Sequence, residues 1–477
     1  MLVVISDLHL QEVSREPMRT VAREDSARNV SAEALNLLFE EIRGKVIEHD
    51  LSEVVLCLAG DIFEINRSML WFEASARPYH DHLPPDHLEP LVLKILDRIA
   101  EDNADFFAAL SDFVKHKTYR YHGDLCFLEP TLDLILRYLP GNHDRLVNHW
   151  PSTRRRVREL LGLSPATEVF DHEFVFPNHE RAPSYGVLIR HGHEYDKTNF
   201  AQSAARKNLI SRYSYACLGD VITLEFVAYF PYRFNQLYGE VLRGSNRKSD
   251  LYQHLYAALL DFDDVRPAAS LFAYLMSCLK SAKTKAHELQ SEERAIDLLR
   301  PILLEAFDSV SKLRFFRKEV KSVTLRLLFL PPVRNFLSAA LRWLPASVLG
   351  WGLNKVGVLR TKVEADSSRP ALEAAKEEAL TSGRVHTVVA GHTHHPDQIP
   401  LHDGNQFFLD SGTWRTLIYQ GEDRKAFGRL RAITYIFCYR SDEGQSERRF
   451  ETWTGHLSSV RHNSFEATVP LAFDQVS

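Results

Sequence analysis

Five short blocks, widely separated along the chain, carry side chains able to bind divalent metal ions: Asp7-Leu8-His9, Gly60-Asp61, Gly141-Asn142-His143-Asp144, His191-Gly192-His193 and Gly391-His392-Thr393-His394. Their donors are carboxylate, imidazole and carboxamide, without cysteine, a set that suits hard or borderline divalent cations. A phosphate ester resists hydrolysis because its anionic oxygens repel a nucleophile and its leaving oxygen departs poorly. Two cations about 3.5–4 Å apart answer both problems, neutralising the phosphoryl oxygens and acidifying a bound water. A carboxylate readily joins two such ions, because its second oxygen stays available after the first has bound. Asp61 is the candidate bridge.

Each block follows an apolar run that predicts a buried strand: Leu2 to Ile5, Val54 to Ala59, Leu134 to Leu139, Val187 to Ile189 and Val385 to Ala390. The donors therefore sit at carboxyl ends of strands, where loops converge while the strands fix their positions. Gly60, Gly141 and Gly391 stand beside them, which predicts close backbone approach. Taken singly, Asp-x-His and Gly-Asp are ordinary turn sequences. Gly-Asn-His-Asp and Gly-His-Thr-His after strands are more specific, and five blocks in order favour the metal reading.

These five blocks resemble the signature of the calcineurin-like metallophosphoesterases, all of whose blocks are represented. The resemblance implies an α/β fold, a four-layer α/β/β/α sandwich, here with a large helical insertion. It implies that Asp7, His9, Asp61 and His394 hold one metal, and that Asp61, Asn142, His191 and His392 hold the other. His143 matches the catalytic histidine that contacts the phosphate and assists the leaving group, and Asp144 would orient a loop or an imidazole. The implied cofactors are two divalent ions, Mn²⁺ ranked first, with Fe, Zn²⁺, Co²⁺ and Ni²⁺ compatible with the same donors.

Neighbouring residues are candidates of a second kind. Arg145, Asn66 and Arg67 follow site blocks and could touch substrate phosphate, whereas a loop arginine is more often simply solvated. His193 reads as a support for its neighbours or an ordinary loop histidine, and His395 is left unassigned. Glu194-Tyr195-Asp196 could support the site or meet substrate, while Asp410-Ser411-Gly412-Thr413-Trp414 reads as structural support.

The chain has 477 residues, 45% apolar and 25% charged, enough for a large core with insertions. Its formal net charge of −5 argues against nucleic-acid binding by bulk electrostatics. Five scattered cysteines, Cys57, Cys126, Cys217, Cys278 and Cys438, read as buried thiols in a reducing compartment. The amino terminus enters the first strand at once, so no secretory signal is expected and the expected location is cytoplasmic.

The blocks are interrupted by two long stretches, which predicts a discontinuous catalytic domain over 1–67, 128–196 and 366–477. Residues 68–127 form a first insertion near the site, with Leu91, Ile95, Leu96, Ile99, Phe106, Phe107, Leu110 and Phe113 at helical spacing. Residues 197–365 form a second, mainly helical insertion, and Ser368-Arg369-Pro370 reads as a new helix start leading through Ala371 to Leu380. Within it, 312–360 mixes Arg and Lys with Leu, Phe and Trp. Arg326, Arg334 and Arg342 interrupt any spanning run of about 20 residues. A basic amphipathic segment of this kind can lie peripherally on a membrane, or it can pack as a lid on the catalytic domain.

The expected substrate is a small or lipid-linked phosphodiester or pyrophosphate. Gly60-Asp61-Ile62-Phe63-Glu64 and His191-Gly192-His193-Glu194 resemble the branch containing UDP-2,3-diacylglucosamine pyrophosphohydrolases. Members of that branch often carry Arg where this chain has His143, and are shorter. A protein phosphatase ranks second, a nuclease or nucleotide phosphodiesterase third, and a noncatalytic scaffold last, since the complete donor set argues for catalysis.

Overall fold

The computed structural model describes residues 1–13, 28–79, 87–115, 119–122, 125–128, 132–179, 182–201, 209–244, 247–266, 270–281, 288–313, 369–402, 404–422, 426–443 and 449–461. Its strands, in chain order, are β1 (Leu2–Ile5), β2 (Glu53–Ala59), β3 (Tyr119–His122), β4 (Leu125–Leu128), β5 (Asp133–Leu139), β6 (Glu173–Phe176), β7 (Val187–Arg190), β8 (Val265–Arg266), β9 (Thr387–Ala390), β10 (Asp397–Leu401), β11 (Gln406–Asp410), β12 (Thr416–Gln420), β13 (Phe427–Cys438) and β14 (Phe450–Arg461). The protein is mixed α/β, with two mixed sheets. The first has the order β5-β2-β1-β13-β12-β8, with β14 paired to β13; the second has the order β10-β11-β9-β7-β6. Strands β5, β2 and β1 are parallel neighbours, as are β7, β9 and β11.

The alternation of side chains along each strand assigns the two faces. Val4, Cys57, Leu139 and Ile436 of the first sheet share a core with Phe174, Ile189, Val389 and Leu409 of the second. Val3, Ile5, Leu56 and Leu58 turn the other way, toward Leu35, Phe39, Ile95, Ile99 and Leu110 of the helices Ala32–Glu48, Glu89–Asp102 and Ala104–Lys115. On the outer face of the second sheet, Leu188, Val388 and Phe408 meet Ala371, Ala374 and Leu380. The first helix begins where Ser31 accepts a hydrogen bond from the Ala34 amide, satisfying one of the donors a helix start leaves open. Its buried Leu35, Leu38, Phe39 and Ile42 recur at three and four residues, so one stripe faces the sheet.

The second inserted stretch contains helices Tyr229–Leu242, Arg247–Leu260, Leu271–Ser281 and Glu288–Lys312. They enclose Phe234, Leu255, Leu259, Tyr274, Leu275 and Ile302, together with Ile418 and Phe427 of the first sheet. The sequence spacing of Leu255, Leu259 and Phe262, and of Leu271, Tyr274, Leu275 and Cys278, predicts two helical faces; Leu255 and Leu259 lie on one helix and the second set on another, whereas Phe262 falls past Leu260 in a separate short 3-10 turn. The insertion also contributes a strand that its pattern does not announce: β8, two residues long, pairs parallel to β12, with Val265 opposite Ile418 and Arg266 opposite Tyr419. Two residues are too few to show alternation. The predicted helix from Ala371 to Leu380 is two short helices, Arg369–Ala374 and Glu378–Thr381.

No helix among the described residues is long and apolar enough to cross a membrane. The basic amphipathic stretch 312–360 lies outside the described residues except for Lys312 and Leu313. Cys57, Cys217, Cys278 and Cys438 are buried free thiols, and the side chain of Cys126 lies outside the described residues.

Candidate metal centre

All five blocks lie just past carboxyl ends of strands: Asp7 and His9 after β1, Asp61 after β2, Asn142 and His143 after β5, His191 after β7, His392 and His394 after β9. Because β1, β2 and β5 adjoin in one sheet and β7 and β9 in the other, stacking the sheets brings the blocks to one edge. The loops after β1 and β2 are tied together, Asp7 N donating to Gly60 O (3.0 Å) and His9 N to Asp61 O (2.9 Å). Asp7, His9, Asp61, His392 and His394 all have positive φ, between 47° and 74°. That backbone is unfavourable for residues with a side chain, and its concentration on five candidate ligands is typical of sites where surrounding structure enforces strain.

Glycine makes the close approach feasible. A Cβ on Gly141 would lie 2.2 Å from Asp61 Oδ1, and one on Gly391 2.1 Å from Ser6 Oγ and 2.4 Å from Asp7 Oδ2.

Among the described residues the candidate donors form three groups, one of which, His9 with Glu64 and His143, includes the expected catalytic histidine; the other two are made of expected ligands alone. Asp7, His9 and His394 compose one and Asp61, His191 and His392 the other, with the ligand atoms of each group within 4.8 Å of one another. Asp61 Oδ2 lies 3.1 Å from His191 Nε2 and 3.8 Å from His9 Nε2, between the groups, as a bridging carboxylate must. Asn142 Oδ1 stands 3.2 Å from His191 Nε2.

The outward nitrogens show where the imidazole protons belong. His191 Nδ1 donates to Ala59 O (2.9 Å), His9 Nδ1 to Glu64 Oε2 (2.8 Å), and His392 Nε2 to Asp196 Oδ2 (3.2 Å). In the neutral rings those bonds leave a lone pair on the opposite nitrogen, toward the centre. His191 Nε2 then faces only acceptors, Asp61 Oδ2 and Asn142 Oδ1. Asp7 is fully buried and its Oδ1 accepts no well-formed hydrogen bond; the nearest groups are His394 Nε2 at 3.2 Å and His9 Nε2 at 3.6 Å. Buried acceptors that converge in this way require a positive partner. Divalent cations fit the donor set, with Asp7, His9, Asp61 and His394 positioned for one ion and Asp61, Asn142, His191 and His392 for another.

His394 departs from the pattern. Its outward Nδ1 faces a donor, Arg266 Nη2, at 2.9 Å.

The electrostatics follow from burial against these contacts. Burial opposes the Asp61 anion, yet His191, His143 and His9 hold its carboxyl well below the usual range. Burial opposes the His191 cation, but Asp61 and Asp7 raise that imidazole to about 10. A cation bound at Nε2 would meet the same need as the extra proton. His143 is likewise pushed up to about 10 against burial, by Glu64 and Asp61. Its Nδ1 donates to Glu64 Oε1 at 2.8 Å, and its backbone N donates to Asp61 Oδ1 at 2.8 Å. Burial and the nearby Asp61 charge raise Asp144 to about 6. Asp144 accepts from the amides of Gly141 (2.5 Å) and Ile62 (3.0 Å) and from Tyr138 Oη (2.9 Å), fixing two site loops to each other.

The remaining candidates lie outside the ligand groups. Asn66 Nδ2 donates to Asp220 (2.9 Å), and Arg145 also pairs with Asp220 (3.1 Å). Arg67 bonds Leu260 O (3.0 Å) and lies 3.5 Å from Asp263. All three are thus engaged by the second insertion. His193 packs against His191, Phe200 and Tyr213, and burial pushes its imidazole down to about 3. Thr393 Oγ1 donates to Asp410 (2.8 Å), so the Asp410 turn supports the last block.

Sequence reasoning did not single out Glu64, Arg415 or Arg266 as site residues. Glu64 follows Asp61 by three positions, a spacing that could have drawn attention to it. Arg266 carries no such signal, because the pairing of β8 with β12 is what delivers it. No model of a known protein family matches the chain, and no curated protein matches it.

Proposed function

We propose that the protein is a two-metal-dependent phosphohydrolase of the calcineurin-like type, and that its substrate is a phosphodiester or pyrophosphate of a small or lipid-linked molecule. The observation that carries this reading is the convergence of donors from five strand ends into two groups with Asp61 between them. The helical coverings on the outer faces of two stacked sheets support a four-layer α/β/β/α sandwich.

A bound pair of divalent ions supplies Lewis acidity toward the phosphoryl oxygens and activates a water. Asp7, Asp61, Asn142 and the four histidines set its place. His143, with Nδ1 held by Glu64, keeps a second proton on Nε2 for the departing oxygen. The apolar part of the substrate reading is supported by a cavity of ≈ 390 Å³ beside His394, lined chiefly by Pro396, Leu417, Tyr419, Leu430 and Ala432.

The test is hydrolysis of bis-p-nitrophenyl phosphate and p-nitrophenyl phosphate by metal-stripped protein reloaded with Mn²⁺, beside Asp61→Asn. Diester turnover that requires Mn²⁺ and disappears in Asp61→Asn is expected. Monoester preference would move the substrate toward a phosphatase, and turnover unaffected by Asp61→Asn would sink the two-metal reading.

A further inference from the structure

The arginines around the centre are, with one exception, matched by carboxylates. Arg415 reaches Asp263 (2.5 Å) and Asp264 (2.6 Å), Arg28 reaches Asp261 (2.6 Å), Arg145 reaches Asp220 (3.1 Å), and Arg67 lies 3.5 Å from Asp263. Arg266 makes no ion pair among the described residues. Its Nη1 donates to the carbonyls of Asp263 (2.7 Å) and Val265 (3.1 Å), and its Nη2 points at His394 Nδ1 (2.9 Å). A half-buried guanidinium, without a direct ion pair among the described residues although its charge helps to lower the Asp263 carboxyl, therefore stands one imidazole width from the candidate metals.

The root of this arm is well fixed. β8 is hydrogen-bonded alongside β12, and the preceding Asp263-Asp264 turn is clamped by Arg415. At the tip, Nη2 meets His394 Nδ1. Three of the four ligand histidines meet an acceptor at the outward nitrogen, but His394 meets a donor. When His394 turns an Nε2 lone pair to the centre, its Nδ1 carries the proton and has no bond to accept from Arg266. Nη2 is then available to the cleft, and a guanidinium is well shaped for paired phosphate oxygens.

We propose that Arg266, delivered by the insertion strand beside His394, binds a second phosphoryl group of the substrate, adjacent to the one hydrolysed. This rests on the phosphohydrolase reading and narrows it to pyrophosphate-type esters. Diesters with one phosphorus atom would leave the arm without a ligand.

The test is calorimetric binding of inorganic phosphate and of imidodiphosphate, a pyrophosphate analogue with a P–N–P bridge, to Mn²⁺-loaded wild type and Arg266→Gln. Wild type should bind imidodiphosphate more tightly than phosphate, and Arg266→Gln should lose about 10-fold or more on imidodiphosphate while phosphate changes little. That selectivity also separates the effect from misfolding, since a damaged centre loses both ligands. Equal loss on both, or no loss on imidodiphosphate, would overturn the assignment. Bis-p-nitrophenyl phosphate turnover by the same wild-type preparation separates the two ideas: turnover without the selective loss removes Arg266 alone, and a selective loss without turnover of any ester removes the phosphohydrolase reading while keeping the anion site.

Discussion

Glu64 Oε1 accepts the Nδ1 proton of His143 at 2.8 Å, and the other oxygen of the same carboxylate accepts the Nδ1 proton of His9 at 2.8 Å. One buried anion thus orients a candidate ligand and the candidate acid together. It also favours the protonated form of His143, which burial alone would suppress. A cation held at His9 would consequently be coupled through Glu64 to proton retention at His143.

Replacing that anion by an amide gives the first prediction. The folded-state value for His143, about 10, lies above its ordinary 6.5, so the imidazolium is retained at neutral pH and lost as pH rises through about 10. In Glu64→Gln the alkaline limb of the pH–rate profile should move toward lower pH, with kcat reduced roughly 10- to 100-fold, the usual range when a ligand-orienting partner is removed. An unchanged limb would show that Glu64 does not set the His143 proton.

Metal loading should also register as stability. Asp7 and Asp61 are both buried, and Asp7 Oδ1 has no well-formed hydrogen bond, so a cation that binds the folded chain stabilises it by mass action. At Mn²⁺ about 100-fold above Kd the gain is about 2.7 kcal/mol, read as a higher unfolding midpoint that chelation reverses. Asp61→Asn should abolish most of the shift. A midpoint indifferent to Mn²⁺ and chelator would count against a metal centre here.

The strands that carry the site were legible because each apolar run ends at a polar block: Leu2 to Ile5 before Asp7, Val54 to Ala59 before Asp61. Periodicity also exposed the helices around Ile95 and Phe107. What escaped was long-range pairing. Nothing in the sequence around Asp263 and Asp264 reveals that Arg415, about 150 positions away, closes on both. Arg145, Asn66 and Arg67 looked available for substrate because sequence does not show that Asp220, Leu260 and Asp263 hold them. The β8 strand was hidden for the same reason, since its partner β12 lies beyond the whole insertion.

The Arg415 clamp supplies the last prediction. Arg415 is buried, and its two terminal nitrogens engage separate carboxylates, Asp263 and the fully buried Asp264. Arg415→Met removes the charge but keeps much of the volume, leaving Asp264 with Arg28 Nε at 3.6 Å and Asp263 with Arg67 at 3.5 Å. Removing one side of a buried ion pair costs about 3–5 kcal/mol, because the partner stays desolvated. The unfolding midpoint should therefore fall markedly, and the Arg266 arm, rooted in the same turn, should lose its selectivity for imidodiphosphate. Adding Asp263→Asn and Asp264→Asn to Arg415→Met removes the stranded charges and should recover most of the stability. A single Arg415→Met variant as stable as wild type would mean that the turn is held by the β8–β12 pairing and not by the clamp.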